Sequence, residues 1–278
     1  MLLDMTPTYT ADLFPPLHAQ LITLLRALDD GDWERPTVAG RWRVRDVAAH
    51  LLDGDLRKLS GGRDEHQMSN RVVASFKDLV GLINDLNADG VGYAARLSPR
   101  VMVDLLETTG RWVSEYMGGL PPHASARWSV AWAGEDRSEN WMDVGREYTE
   151  RWHHQMHIRD AVGAEALFQR QWFHPMLDLS VRAFPRAYEH VAATDGAVAV
   201  FEVDADGENA WSVTRGGSEW TVSRGRPSAP AASLRTDADT AWKLLYNALP
   251  AQAARARVTI TGDAALVEPM FGARSVMV

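Results

Sequence analysis

The rhythm of the apolar residues changes near residue 195, and this change constrains the fold more than any other feature of the chain. Before it, hydrophobic side chains recur at intervals of three and four. Residues 10–28 carry Leu13, Leu17, Leu21, Leu24, Leu25 and Leu28, the stripe of an amphipathic helix. Pro15 and Pro16 suit its first turn, where a missing N–H costs little, and Asp29-Asp30-Gly31-Asp32 supplies turn chemistry at its end. Residues 43–59 repeat the pattern with Val44, Val47, Ala48, Leu51, Leu52 and Leu59, and Ser60-Gly61-Gly62 is the expected stop. Further helices are predicted over 76–86, over 99–117 with Ser98 as N-cap and Pro99 in the first turn, over 143–162 and over 175–191. About four main helices would bury these stripes as a bundle.

Past residue 195 short β-branched and aromatic runs replace the helical spacing, and Glu219-Trp220-Thr221-Val222-Ser223 alternates cleanly. Strands are predicted over 198–203, 211–214 and 219–223, with hairpin turns at Asp206-Gly207 and Gly216-Gly217. The Pro/Ala/Ser stretch at 227–233 reads as a loop, 239–249 as a helix and 257–261 as a strand. Helices followed by a run of strands imply an α bundle joined to an α+β domain. The expected division is a helical bundle over 1–165, with a helical extension to about 194, and a small domain with a mainly antiparallel sheet over 195–278.

Composition narrows the chemistry. With 46% apolar and 24% charged residues the chain has ordinary globular make-up. Its 29 basic against 37 acidic residues give a net charge of −8, which offers little attraction for nucleic acid or an anionic membrane. The first residues lack the basic start and apolar centre of a signal peptide, and no stretch is apolar enough to span a bilayer; a cytoplasmic protein is expected. There is no cysteine. Disulfides, cysteine–zinc clusters and a cysteine nucleophile are therefore excluded. Any thiol must arrive as a small-molecule partner, and any metal must be held by His, Asp and Glu.

Such residues concentrate in Arg146-Glu147-Tyr148-Thr149-Glu150-Arg151-Trp152-His153-His154-Gln155-Met156-His157. Glu150 and His154 are four apart, so on a helix both project from one face, and Glu147 and His157 extend that row. A third ligand has to come from elsewhere. The second helix offers His50, beside the apolar Val47, Ala48, Leu51 and Leu52. Two histidines and a glutamate with an open fourth position form a catalytic zinc set. The plainer reading stands beside it: Glu-x-x-x-His pairs occur on many solvated helices, and a lone His50 can be a hydrogen-bonded interior residue. His153 and His157 make a competing pair, with His153 expected to point away from Glu150 and His154. Spacing leaves both readings open.

The segment Gly40-Arg41-Trp42-Arg43-Val44-Arg45-Asp46-Val47-Ala48-Ala49-His50-Leu51 resembles a signature of the DinB-like superfamily. More closely, the chain is similar to the mycothiol-dependent maleylpyruvate isomerase family. Thr149-Glu150-Arg151-Trp152-His153-His154-Gln155 followed by Ile158-Arg159-Asp160-Ala161 matches that family's second signature. The resemblance implies a divalent metal on His50, Glu150 and His154, zinc first and nickel or iron as alternatives. It also implies a low-molecular-weight thiol such as mycothiol. The C-terminal segments Val258-Thr259-Ile260-Thr261-Gly262-Asp263 and Phe271-Gly272-Ala273-Arg274 resemble the closing strand and helix of a sterol-carrier-like domain. One departure is His157, where many relatives have Asp.

The implied activity is isomerisation or S-transfer on a small, carboxylate-bearing substrate, by addition of a thiolate to an activated double bond. Arginine clamps carboxylates through paired hydrogen bonds, which makes Arg274, with Arg257 behind it, the expected site for substrate or thiol. His157 is expected to orient a ligand or carry a proton, Glu135 is a weaker candidate base, and Tyr148, Trp152 and Trp132 are expected neighbours. Two alternatives remain open: a metal-dependent hydrolase, and a non-catalytic binding protein whose eleven tryptophans line a cavity around a residual metal site. Either a monomer or a homodimer is compatible with the sequence.

Overall fold

The computed structural model describes residues 2–67, 69–204 and 209–276. Contacts divide the chain into two compact units, one of residues 9–128 and 138–167, the other of residues 1–8, 129–137 and 168–278.

The first unit is helical. A 3-10 turn, Ala11–Leu13, leads into α1 (Phe14–Arg26), whose prolines occupy the first turn and whose Phe14, Leu17, Leu21, Leu24 and Leu25 are buried. A short α2 (Asp30–Trp33) is closed by a capping box between Asp29 and Asp32. In α3 (Val44–Arg57) the buried side chains are those the period-3.6 stripe selects, with Ala49 and Asp55 added to them. The expected stop at Ser60-Gly61-Gly62 is not one: the chain widens into a π-helical turn, Lys58–Arg63. Gly62 lets Tyr116 approach this turn closely, since a Cβ there would lie 3.1 Å from the Tyr116 hydroxyl. Next, α4 (Phe76–Ala94) runs eight residues beyond the predicted 76–86. Gly90 does not end it but serves as its point of approach to α3, where an added Cβ would meet the Asp53 carboxyl carbon at 2.3 Å. The unit is completed by α5 (Pro99–Gly118), capped by Ser98, and α6 (Asn140–Val162). Leu21, Leu25, Trp33, Val47, Leu51, Met102, Leu106 and Ile158 belong to one hydrophobic cluster that joins α1, α2, α3, α5 and α6.

The second unit combines β1 (Leu3–Asp4), α7 (Arg170–Ser180), α8 (Phe184–Ala187), β2 (Val198–Val203), β3 (Ala210–Gly216), β4 (Glu219–Arg224), β5 (Ala232–Thr236), α9 (Ala238–Leu245), α10 (Ala251–Arg255), β6 (Thr259–Gly262) and α11 (Ala264–Val267). The strands form one sheet in the order β1-β4-β3-β2-β5-β6. Only β2 and β5 pair in parallel; every other neighbour is antiparallel. The tight turn at Gly216-Gly217 joins β3 to β4 as expected, whereas Asp206-Gly207 lies outside the described residues. Two expectations need correction. The end of the supposed loop 227–233 enters β5, which pairing on both sides holds extended. The helix expected over 175–191 begins at Arg170, contains Pro175 and breaks after Ser180.

Asp178 on α7 explains why the first eight residues join this unit. Fully buried, its carboxylate accepts from Arg224 Nε (2.5 Å) and Nη2 (2.6 Å), from Trp211 Nε1 (3.1 Å) and from the Thr8 hydroxyl. Burial alone would raise this carboxyl's pKa, but the bonds outweigh it and hold it below the usual range. Among the described residues no helix is long and apolar enough to cross a membrane.

Candidate metal centre

Helix α6 is the odd element of the helical unit, because its buried side chains include Asp143, Arg151, His153, His154, Gln155, His157 and Arg159. Buried polar groups cost free energy unless they are paired, and these are placed to be paired. Lys58 Nζ lies 3.1 Å from Glu147 and 3.5 Å from Asp143, while Arg146 Nη2 lies 2.5 Å from Asp143 and 3.0 Å from Glu147. Arg151 pairs with Asp55, which also accepts from Thr109 Oγ1 at 2.7 Å. Burial would raise the Glu147 carboxyl's pKa, but Lys58, Arg146 and Arg151 together overcome it and hold it down to about 2.

A depressed carboxylate pKa adds stability that is complete above its unfolded value and is lost as pH falls through its folded value. For Glu147 that window runs from about 4.5, the ordinary value, down to about 2. Acid unfolding followed by circular dichroism is therefore expected to be shallower across this window in Glu147→Gln than in the wild type. Equal slopes would mean that the carboxylate does not contribute in this way.

Against this network stand the histidines. On α3 the His50 ring lies 4.8 Å from the Trp42 ring and 4.5 Å from the His154 ring, centroid to centroid. His154 Nε2 is 3.4 Å from Glu150 Oε2. One ligand atom from each of His50, Glu150 and His154 lies within 4.8 Å of the others. Ligands around a tetrahedral zinc are roughly 3.4 Å apart, so modest side-chain movement would close the set on an ion. On its other edge, His154 Nδ1 is 3.3 Å from His157 Nδ1. The two nitrogens of His154 thus face different partners.

His153 departs from expectation. It does not turn away: its ring centroid is 4.0 Å from that of His154, and His153, His154 and His157 form a second group whose ligand atoms lie within 4.8 Å of one another. The cause is local. His153 Nδ1 lies 2.8 Å from the Thr149 carbonyl, and this bond draws the ring back along the helix.

Burial sets the protonation of these rings. It pushes His50 down to about 4, against the opposing pull of Glu150, and lowers His153. His154 falls well below its ordinary value through burial and the proximity of His153 and His50. The rings are therefore neutral at pH 7, the form that ligates metal. His50 Nδ1 is also buried with no hydrogen-bond partner among the described residues, a costly condition that a metal bond would relieve. Two neutral imidazoles and one carboxylate fit a divalent first-row ion such as zinc.

The remaining residues named from sequence lie elsewhere or serve packing. Tyr148 and Trp152 are fully buried, and the Tyr148 ring lies 6.4 Å from Phe14. Trp132, Glu135, Arg257 and Arg274 belong to the sheet-bearing unit. Arg274 Nη1 donates to the Phe271 and Ala273 carbonyls at 2.9 and 2.8 Å, and its Nε to Asn247 Oδ1 at 3.3 Å. Arg257 lies 3.7 Å from Asp239. The two arginines thus have separate partners. Trp42, which sequence reasoning gave no role, covers His50; its position eight residues before that histidine was the available signal.

The observations define a class: a helical bundle enclosing an imidazole–carboxylate cluster, on one chain with a mainly antiparallel α+β unit. The profile of the mycothiol maleylpyruvate isomerase N-terminal domain matches residues 14–159, more than half of the chain, and the chain belongs to that family. Two solved structures are similar to it. One is a mycothiol-dependent maleylpyruvate isomerase, with a TM-score of 0.56 at 11% identity over 90% of this chain and 91% of that one. The other is a mutant of such an isomerase, with a TM-score of 0.51 at 12% identity and the same coverage. At these identities the likeness is one of fold. No curated protein sequence matches the chain.

Proposed function

We propose that the chain is a metal- and thiol-dependent isomerase acting on a small unsaturated acid of the maleylpyruvate type, with His50, Glu150 and His154 as its metal ligands. The observation that carries this reading is the gathering of those three ligand atoms within 4.8 Å of one another, from two helices far apart in sequence. When bound, the ion would lower the pKa of a thiol at its open position, so that thiolate is available at neutral pH.

The chain's own residues prepare that chemistry. Burial keeps His50 and His154 neutral, so neither has to lose a proton to bind an ion. His154 Nε2 faces Glu150 and its Nδ1 lies 3.3 Å from His157 Nδ1; with an ion on Nε2 the ring's proton would sit on Nδ1, where His157 can accept it and hold the ring in place. Trp42 covers the His50 ring and limits the approach of water. Lacking cysteine, the chain needs sulfur from outside, and mycothiol is the thiol that the family name supplies. Within the sheet-bearing unit, Arg274 and Arg257 are the proposed carboxylate-binding residues, each of which would have to exchange its present partners for an anion, and a cytoplasmic setting would keep the thiol reduced.

Calorimetric titration of zinc-loaded protein with mycothiol, bacillithiol and glutathione tests the thiol. Heat with mycothiol is expected, together with mycothiol-dependent loss of maleylpyruvate absorbance. Metal-loaded protein that gives no heat with any of the three would sink the proposal.

A further inference from the structure

Helix α5 buries one face through Met102, Val103, Leu106, Thr109, Val113 and Met117. Its opposite face carries an apolar stripe left open among the described residues: Val101, Leu105 and Trp112 are 44%, 40% and 42% exposed. With Thr108 between them, these positions fall within roughly 60° of arc at about 100° per residue. Beside the stripe runs a second exposed row, Arg100, Asp104, Arg111 and Glu115. None of these four has an ion-pair partner among the described residues, whereas Glu107 on the same helix is taken by Arg26 at 2.6 Å.

The order of charges in that row is poor for an isolated helix. A cation near the helix N-terminus and an anion near its C-terminus both oppose the helix dipole. Arg100 and Glu115 hold those two places. Within the helix, Arg before Asp and Arg before Glu at a spacing of four is also the weaker orientation for pairing. Set against a copy of itself running the other way, the row becomes complementary at every position. Arg100 then meets the partner's Glu115, and Asp104 meets the partner's Arg111. Each terminal charge also faces the opposite pole of the neighbouring helix.

We propose that α5 is a self-complementary docking face on which a second copy of this chain packs its own α5 antiparallel. With the two-fold centre displaced by one residue from that of the charged row, Val101 lies nearest the partner's Trp112, and Leu105 nearest the partner's Thr108. The two-fold axis brings the charged row of one copy against the charged row of the other, because like flanks meet in an antiparallel pair. Three half-exposed apolar side chains form a small face, so the association is modest and tuned by salt. This inference is independent of the metal and of the thiol.

Sedimentation velocity over a wide concentration range tests it with three proteins. The wild type should form a concentration-dependent dimer that weakens as salt is raised. Arg100→Glu, which creates two like-charge contacts per dimer, should raise the dissociation constant by about tenfold or more. Adding Glu115→Arg to the same chain should restore the wild-type constant, since antiparallel pairing places each reversed charge opposite the other. The monomer should not suffer, because Arg100→Glu improves the match to the helix dipole and its melting temperature should hold or rise. A wild type that remains monomeric at the highest attainable concentration would overturn the proposal. So would an unweakened Arg100→Glu, or a double variant no tighter than the single.

Discussion

Purified His154→Ala is expected to retain less than about a tenth of the metal that the wild type carries after the same dialysis, since even residues behind a ligand cost ten- to a hundredfold in affinity when replaced. The wild type should hold close to one zinc, nickel or iron per chain by elemental mass spectrometry. His154 is the decisive position because it belongs to both groups of converging ligand atoms, the one with His50 and Glu150 and the one with His153 and His157. Neighbouring positions then separate the two groups. If the proposed ligand set is right, His50→Ala loses metal as His154→Ala does, while His153→Ala keeps it. The reverse pattern would move the ion to the three histidines of α6. Equal metal in the wild type and in His154→Ala would leave the proposed catalyst without its ion.

The reason to expect an ion here is the energetic cost of α6 as it stands. A helix in a bundle ordinarily buries leucines, and this one buries histidines together with a network of ions. The ions offset their own desolvation by pairing: Lys58, Arg146 and Arg151 against Asp143, Glu147 and Asp55. The histidines do not balance in this way. His153 and His154, with His50 of α3 beside them, are neutral and crowded, and His50 Nδ1 is buried without a hydrogen-bond partner among the described residues. Strained or costly arrangements of this kind persist at functional sites.

How much of this was legible in the sequence follows from which forces are local. The stripes of α1, α3, α5 and α6, the β-branched and aromatic runs of β2 and β3 and the alternation of β4 are written in adjacent residues, and the structure has helices and strands there. Elements fixed by distant partners were not legible. Leu3-Asp4 is a strand because β4 pairs with it, and Ala232–Thr236 is one because β2 and β6 flank it. The extension of α4 past 86 was not legible either, since Gly90 owes its place to Asp53 packed against it. In the site, the four-residue spacing of Glu150 and His154 and the apolar setting of His50 were readable. The position of His153 was not, because a bond to a carbonyl decided it. The buried ions were missed because charges read as solvent-exposed. A clue was present: Asp55 falls at the place where the stripe through Ala48, Leu51 and Leu52 calls for an apolar residue.

Asp55→Ala is expected to destabilise the helical unit by about 3–5 kcal/mol, the range for removing one partner of a buried ion pair. Asp55 is 1% exposed and binds both Arg151 and Thr109. Its loss would leave the guanidinium of Arg151 buried without a counter-charge, and Arg151 Nε already lacks a hydrogen bond. For a unit of this size the thermal midpoint should fall by roughly 10 °C or more. A second change identifies the cause. Replacing a buried pair by apolar groups of similar volume is often neutral, so Asp55→Ala with Arg151→Met should recover much of the lost stability. A cavity alone would give no such recovery. The consequence for function runs through the helix: Arg151 is flanked by Glu150 and lies one turn from His154, so loosening it should weaken metal retention in Asp55→Ala, although Asp55 is not among the proposed ligands. A midpoint within about 2 °C of the wild type, too small a shift for a buried ion pair, would show that the Asp55–Arg151 pair does not hold α6 in place.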